Sequence, residues 1–260
     1  MKIFPKGIGV SKLLWVLLLL LLWELIARSG KVSPQLMPDL GTILTALWHE
    51  IFSGELFPGI YRSILFVIFG IISGTILAGL FSTPALFHPQ IRNLMDVLTA
   101  VLHPLPGIAL LPIFILFFGI GTTPLIMIII HSVLWPLCIN IRGGFENIPD
   151  IYLKIGRNYQ LSPIHFFIRI MVPAAFPQIL AGLRIAWARS WRALISAEML
   201  FGVASGNGGL GWYIYNKRLF MDTPGMYAGL LVLVMIGLLV ETILFKKLEE
   251  RTTRRWSLRS

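Results

Sequence analysis

From Ile60 to Phe81 the chain is almost wholly apolar, with Arg62 as the one charged residue in the run. A helix needs about 20 mainly apolar residues to cross a bilayer, so this stretch alone narrows the fold to a membrane-embedded one. Comparable runs cover about Leu13 to Ala27, Leu94 to Phe118, Leu125 to Ile141, Leu183 to Val203 and Tyr227 to Phe245. The run from Leu94 is interrupted by His103-Pro104-Leu105-Pro106-Gly107. The expectation is an all-α polytopic membrane protein of about six transmembrane helices. Gly70, Gly74 and Gly79 in the second run are small residues of the kind that let helices approach closely in lipid.

Composition agrees. Of 260 residues, 56% are hydrophobic and 13% charged, with a mean hydropathy of +0.80, whereas soluble domains carry about 25% charged residues. Apolar runs fill most of the chain and leave no room for a separate soluble catalytic domain, so a single transmembrane domain, 1–260, is expected. Between the runs lie an amphipathic stretch around Thr42 to Phe52, a short polar turn over Ser82 to Arg92, and a tight turn at Gly119-Ile120-Gly121-Thr122-Thr123-Pro124.

The net charge of +10 is distributed as a membrane topology would distribute it. Basic residues gather at the N-terminus (Lys2, Lys6, Lys12), in a central polar stretch, and in the tail 246–260, while the aromatic residues sit in apolar runs rather than among the bases. The positive-inside rule then places both termini and the central stretch in the cytoplasm, and no nucleic acid is expected as a partner. The lone Cys138 excludes an intrachain disulfide and reads as a small buried residue. Trp23-Glu24-Leu25-Ile26-Ala27-Arg28 offers no small-x-small cleavage site, which predicts an uncleaved first span.

The central stretch, about 142–181, is too polar to cross and too regularly patterned for a slack loop. Tyr152, Ile155 and Tyr159 recur at i, i+3 and i+7 on one face of a short helix. Ser162-Pro163 is a helix-start signal, serine as N-cap and proline at the first helical position. Ile164, Phe167, Ile168 and Met171 then make a second apolar face, with His165 and Arg169 on the polar side and Pro173 and Pro177 closing the helix before the fifth span. The pattern predicts two short amphipathic helices. They could lie on the lipid surface, basic residues toward headgroups, or dock a protein.

This region resembles the loop by which membrane subunits of ABC importers contact their ATPase, a pattern of Glu-Ala-Ala, three residues, Gly, nine residues, Ile-x-Leu-Pro. Ile170 and Pro173 match it, Val172 stands for the Leu and Gly156 for the second Ala; Lys154 occupies the Glu position, Ile155 the first Ala and Gln160 the Gly. Glycine there permits φ > 0, which Gln adopts only at a cost, so a differently shaped turn is expected. Leu36-Met37-Pro38-Asp39, Pro104 to Pro112, Phe117-Phe118-Gly119-Ile120-Gly121, Gly182-Leu183-Arg184 with Ala197-Glu198, and Gly208-Gly209-Leu210-Gly211 are similar to the nitrate, sulfonate and taurine branch of these permeases, in the same order along nearly the whole chain.

The resemblance implies a bacterial inner-membrane permease subunit, identical or paired, working with two ATPase subunits and an extracytoplasmic substrate-binding protein. ATP would be bound by the partner, with no cofactor in this chain. It implies a coupling surface at Lys154, Ile155, Gly156, Tyr159, Gln160, Leu161, Ser162, Ile170 and Pro173. Consistently, no G-x-x-x-x-G-K-[ST] phosphate loop occurs. Gly206 to Gly211 fits G-x-G-x-x-G literally, but it follows a membrane span rather than a strand and reads as a flexible outer loop.

Arg189, Arg192 and Glu198 fall inside the fifth span. A charge at the bilayer centre costs about 2.5–3.5 kcal/mol on insertion scales, so such residues face a cavity or a partner. One reading is a positive pathway lining for a small anion, with Glu198 as internal partner; the other is a salt bridge shielded by Trp187 and Trp191. Arg184 sits near the cytoplasmic end, where snorkelling suffices. His103 and His131 have no further metal ligands at a recognisable spacing and are expected to be hydrogen-bonded packing residues. The carboxylates are few and scattered, which gives hydrolysis no support. An autonomous channel or secondary transporter is the competing functional class.

Overall fold

The computed structural model of the chain describes residues 8–54, 56–201 and 208–256. Lipid offers no hydrogen-bond partner to a peptide group, so segments this apolar satisfy their backbones internally. Among the described residues, every regular element is a helix. In chain order these are α1 (Ile8–Arg28), α2 (Leu40–Ser53), α3 (Leu56–Phe87), α4 (Pro89–Leu102), a 3-10 turn (Gly107–Leu110) leading into α5 (Leu111–Phe118), α6 (Thr122–Glu146), α7 (Asp150–Asn158), α8 (Pro163–Phe201), α9 (Leu210–Leu219), α10 (Thr223–Leu239) and, beyond a π-helical segment over Val240–Phe245, α11 (Lys246–Trp256).

Of the six spans expected, the described residues give four or five by length and composition. Among the described residues, four helices are long and apolar enough to cross a membrane: Leu56–Phe87, Thr122–Glu146, Pro163–Phe201 and Thr223–Thr252. A fifth is the broken pair Pro89–Leu102 and Gly107–Phe118, bent by 93° where Pro104 and Pro106 interrupt the backbone ladder. α1, expected as the first span, is a 21-residue helix with exposed leucines on every side, and it carries Lys12, Glu24 and Arg28.

Prolines that were expected to end helices lie inside them. α3 runs through Pro84 to Phe87, so the Ser82–Arg92 turn shrinks to the single residue His88. Pro173 and Pro177 likewise fail to close the helix after Ser162, and the second helix of the central stretch is the beginning of the 39-residue α8. The accommodation is visible next to Pro173: Phe167–Met171 widens to a π-helix, and the Val172 N–H donates to the Phe167 carbonyl. A wider turn just before a proline relieves the clash between its ring and the carbonyl four residues back.

The chain divides into two compact units. The first comprises Met1–Pro58 and Tyr213–Leu233. In it Asp39 caps α2, accepting from the Thr42 N–H at 3.0 Å and the Thr42 hydroxyl at 2.7 Å. The preceding segment is pinned to α1: the Trp23 indole N–H donates to the Pro38 carbonyl at 3.1 Å, and the Leu40 N–H donates to Glu24 at 2.9 Å. Lys217 pairs with the buried Glu50 and, at 3.1 Å, with Asp222.

The second unit comprises Gly59–Trp212 and Val234–Ser260, and α6 is its centre. Ile128, Ile129, Val133 and Leu137 of α6 are fully buried. Two of the three glycines singled out in α3 serve close packing: a Cβ on Gly70 would lie 2.4 Å from Ile129 and one on Gly74 2.7 Å from Val133, while Gly79 faces open space. α8 packs on α6 the same way, with Gly182 against Asn140 and Leu137. Arg142 of α6 pairs with Asp96 of α4. Arg184 pairs with Glu241 at 2.5 Å, an ion pair where snorkelling was expected to suffice.

Candidate functional site

Every expected site residue lies in the second unit, distributed along α7 and α8. α7 ends in a left-handed residue. Gln160 has φ 50°, and the Leu161 N–H reaches back to the Gly156 carbonyl at 3.3 Å. That six-to-one bond around a positive φ is the Schellman stop, usually made with glycine. The differently shaped turn expected from Gln is therefore not what forms: Gln160 adopts the conformation that glycine would take. Ser162 then caps α8 as its position predicts. Its hydroxyl accepts from the His165 N–H and lies 2.7 Å from His165 Nδ1.

The turn folds α7 onto the start of α8. A Cβ on Gly156 would lie 2.2 Å from the Phe166 ring, so any larger residue separates the two helices. Phe167 anchors the base, stacked on Phe145 with centroids 5.4 Å apart and 6.4 Å from Phe87. What remains outward is an apolar row: Ile151 and Ile155 on α7, Tyr159 just past its end, and Ile164 and Ile168 on α8, all exposed. Lys154 and Gln160 are exposed beside it, and Leu161, Ile170 and Pro173 are half-buried. Tyr152, placed on this face by its i, i+3 spacing, is half-buried; Ile151 is the residue in line with Ile155 and Tyr159 at four-residue steps.

Further along α8 the structure brings Arg189 and Arg192 together and sets Glu198 apart. The two arginines line a cleft of about 230 Å³ with Pro106, Gly107, Ser132 and Ser196. Arg189 is fastened to the break between α4 and α5: its Nη2 donates to the His103 carbonyl at 2.9 Å, and Nη1 lies 3.2 Å from His103 Nε2. Arg192 is exposed and bonded only through Nε to Ala188 of its own helix, at 3.0 Å. Trp187 and Trp191 stack on each other on a neighbouring, buried side of α8. His103 thus makes the polar contact expected of it. His131 is buried with no hydrogen-bond partner among the described residues, and packs edge-on to Trp135 at 6.3 Å.

Glu198 is 1% exposed and belongs to a different arrangement. The Ser63 hydroxyl of α3 lies 2.8 Å from each of its carboxylate oxygens, and the Gly211 N–H donates to Oε2 at 2.9 Å. The Leu210 N–H donates to Ser63 at 2.8 Å, and Arg62 Nη1 donates to the Gly208 carbonyl at 3.1 Å. Of the expected outer loop, Gly206 and Asn207 lie outside the described residues; Gly208 to Gly211 are tightly held and open helix α9. Glycine is obligatory: a Cβ on Gly209 would meet Glu198 Oε1 at 2.1 Å. Ser63 was not singled out from sequence, and Arg62 and Gly208 to Gly211 were noted there without any link to Glu198; the one available signal for Ser63 was a polar residue inside an apolar run. Among the described residues no cluster of His, Cys, Asp or Glu could hold a metal ion.

Residues 67–254 match the family described as binding-protein-dependent transport system inner membrane component. A protein of Escherichia coli (strain K12) designated an aliphatic sulfonates transport permease is 29% identical over 235 residues, 90% of this chain and 87% of that one. A bicarbonate transport system permease of Synechocystis sp. is 31% identical over 219 residues, 81% of this chain and 77% of that one. Among solved structures, a chain of the methionine ABC transporter MetNI in inward facing conformations is similar in fold, with a TM-score of 0.53 at 15% identity over 84% of this chain and 97% of that one.

Proposed function

The chain belongs to the binding-protein-dependent transport system inner membrane component family, and on that premise we propose how this permease works. It forms the translocation pathway of an ATP-driven importer for a small oxyanion or zwitterion of the nitrate, sulfonate or taurine kind. Two such subunits, identical or paired, stand over two ATPase subunits. ATP is bound by those partners, and an extracytoplasmic binding protein delivers the cargo. Both termini and the α7–α8 turn face the cytoplasm.

The observation that carries this reading is the continuity of α8. A single 39-residue helix, about 58 Å long at 1.5 Å per residue, bears the exposed Ile164 and Ile168 near one end and Arg189, Arg192 and Glu198 toward the other. An ATPase that grips Ile155, Tyr159, Ile164 and Ile168 holds the pathway helix itself, so closure of the ATPase pair is passed along one continuous helix to the Arg-bearing segment. Lys154 and Gln160, at the rim of that apolar row, set the charge and hydrogen bonding that the partner surface must match.

The test is affinity capture of the full-length chain from its native membranes, with subunit stoichiometry read by mass spectrometry. A nucleotide-binding subunit is expected at about one per permease, and it is lost from Tyr159→Glu and Ile164→Glu, whose side chains are exposed. Recovery of the folded chain alone would replace this reading with an autonomous carrier whose central helices lie on the lipid.

A further inference from the structure

Two arginines facing one cleft with no acid beside them need a counter-charge. Arg189 and Arg192 line the cleft with Ser132 and Ser196 and the backbone of Pro106–Gly107, and no carboxylate is among the lining residues. Among the described residues, neither arginine is in an ion pair: Arg142 is paired with Asp96 and Glu146, Arg184 with Glu241, Arg28 with Glu24 and Lys217 with Glu50 and Asp222. Glu198, two positions beyond Ser196 along α8, is turned away and committed to Ser63 and Gly211. Cationic side chains within a span are costly unless something compensates them. Arg142 and Arg184, on the same two helices that form the cleft wall, have carboxylate partners, and these two do not.

The two arginines are also held differently. Arg189 is oriented by the His103 carbonyl, which fixes its guanidinium at the cleft wall. Arg192 donates through Nε to the Ala188 carbonyl of its own helix, and among the described residues its terminal nitrogens make no hydrogen bond. The hydroxyls of Ser132 and Ser196 add neutral donors opposite and beside them. Gly107 keeps the cleft narrow, since a Cβ there would lie 2.9 Å from Ser132 Oγ. The volume of about 230 Å³ equals several waters at about 30 Å³ each, which suits a solute of a few heavy atoms and is smaller than a pocket for a drug-sized molecule.

We infer that this cleft is a station for a small oxyanion on the pathway, gripped by Arg192 and oriented by Arg189, Ser132 and Ser196. It names the chemistry that the permease itself reads: a compact group with two or three acceptor oxygens sharing one negative charge, whether sulfonate, nitrate or bicarbonate. A planar guanidinium meets such a group through two parallel hydrogen bonds, a geometry that an ammonium cannot reproduce. The inference rests on the reading of this chain as the pathway subunit, and its partners play no part in the binding.

The experiment is thermal stabilisation of the purified full-length chain, with whatever subunits accompany it, by sodium methanesulfonate, nitrate or bicarbonate without nucleotide, ionic strength being held with gluconate. Dimethyl sulfone, similar in shape to methanesulfonate but uncharged, is the control. Saturable stabilisation by at least one anion is expected, none by dimethyl sulfone, and a half-saturating concentration raised about tenfold or more in Arg192→Gln, with a smaller rise in Arg192→Lys. An unchanged half-saturation in both variants, equal stabilisation by dimethyl sulfone, or no response of the wild type to any of the anions would each overturn the inference. Because no ATPase takes part, a lost anion response with intact ATPase capture sinks the station alone, and lost capture with the anion response retained sinks the coupling reading alone.

Discussion

The Ser63 hydroxyl lies 2.8 Å from both carboxylate oxygens of Glu198, 135 positions away in the chain. Ser63 also accepts from the Leu210 N–H, and Glu198 from the Gly211 N–H, so the pair closes α3, α8 and the first turn of α9 into one buried clasp. Removing the hydroxyl leaves the Leu210 N–H without its acceptor and Glu198 with one donor fewer. Ser63→Ala is expected to cost about 1–3 kcal/mol, read as a lower unfolding midpoint in detergent. Gly209→Ala is expected to act the same way from the other side, because its Cβ would lie 2.1 Å from Glu198 Oε1 and 2.3 Å from Ser63 Oγ. Unchanged midpoints in both would contradict the clasp.

Lys217 gives a pH dependence of definite sign. Burial favours the neutral amine, but hydrogen bonds and charge from Glu50 and Asp222 outweigh it and hold the ammonium above the usual lysine range. A group whose pKa is higher in the folded state contributes stability that is complete below the unfolded value, about 10.4, and fades as pH rises through the folded value. Thermal stability is therefore expected to be flat with respect to this group at neutral pH and to fall at strongly alkaline pH. In Lys217→Met the protein is less stable at neutral pH and that alkaline component is gone. An identical alkaline loss in Lys217→Met would assign the effect to another group.

The apolar runs made the membrane fold legible, because the length of a hydrophobic run maps directly onto bilayer thickness. The helix boundaries were less legible, and prolines are the reason. Pro84, Pro173 and Pro177 look like stops, yet all three lie inside continuous helices, with a π-helical turn just before Pro173. The Ser162 cap was readable since it is local, a side chain bonding a backbone three residues on. Glu198 was readable as a charge needing a partner, but Ser63 was not readable as that partner, since nothing in a sequence indicates which residue of α3 meets which residue of α8. Arg189 and Arg192, three apart, were legible as neighbours on one helix face; that the break at His103 would fasten one and leave the other exposed required the tertiary fold.

Gln160 sits at φ 50°, in the left-handed region where side chains other than glycine are strained by about 1–2 kcal/mol. Gln160→Gly removes that strain and gives back part of the gain as lost chain entropy in the unfolded state. The net expectation is slower hydrogen exchange over 156–162, or no change, with ATPase capture preserved. Gln160→Val, β-branched and poorly suited to positive φ, is expected to speed exchange there and weaken capture. Capture that fails in Gln160→Gly while the turn stays protected would show that the glutamine side chain itself contacts the partner.

Gly156 and Phe166 test whether the angle between α7 and α8, rather than the identity of any one exposed residue, makes the docking surface. A Cβ on Gly156 would overlap the Phe166 ring at 2.2 Å, so the contact between α7 and the start of α8 has to open. Gly156→Ala must therefore push α7 away from α8 and separate Ile155 and Tyr159 from Ile164 and Ile168. Overpacking of this kind costs about 1–3 kcal/mol, but it falls outside the α6-centred core, so the membrane part should assemble normally. ATPase capture is expected to drop several-fold in Gly156→Ala and to recover in Gly156→Ala with Phe166→Leu, where the smaller side chain gives the methyl room. Two residues in contact couple in such a cycle, and residues that act independently do not. If the double variant captures no better than Gly156→Ala alone, the two helices do not need to meet at this angle, and the surface must be read from α7 by itself.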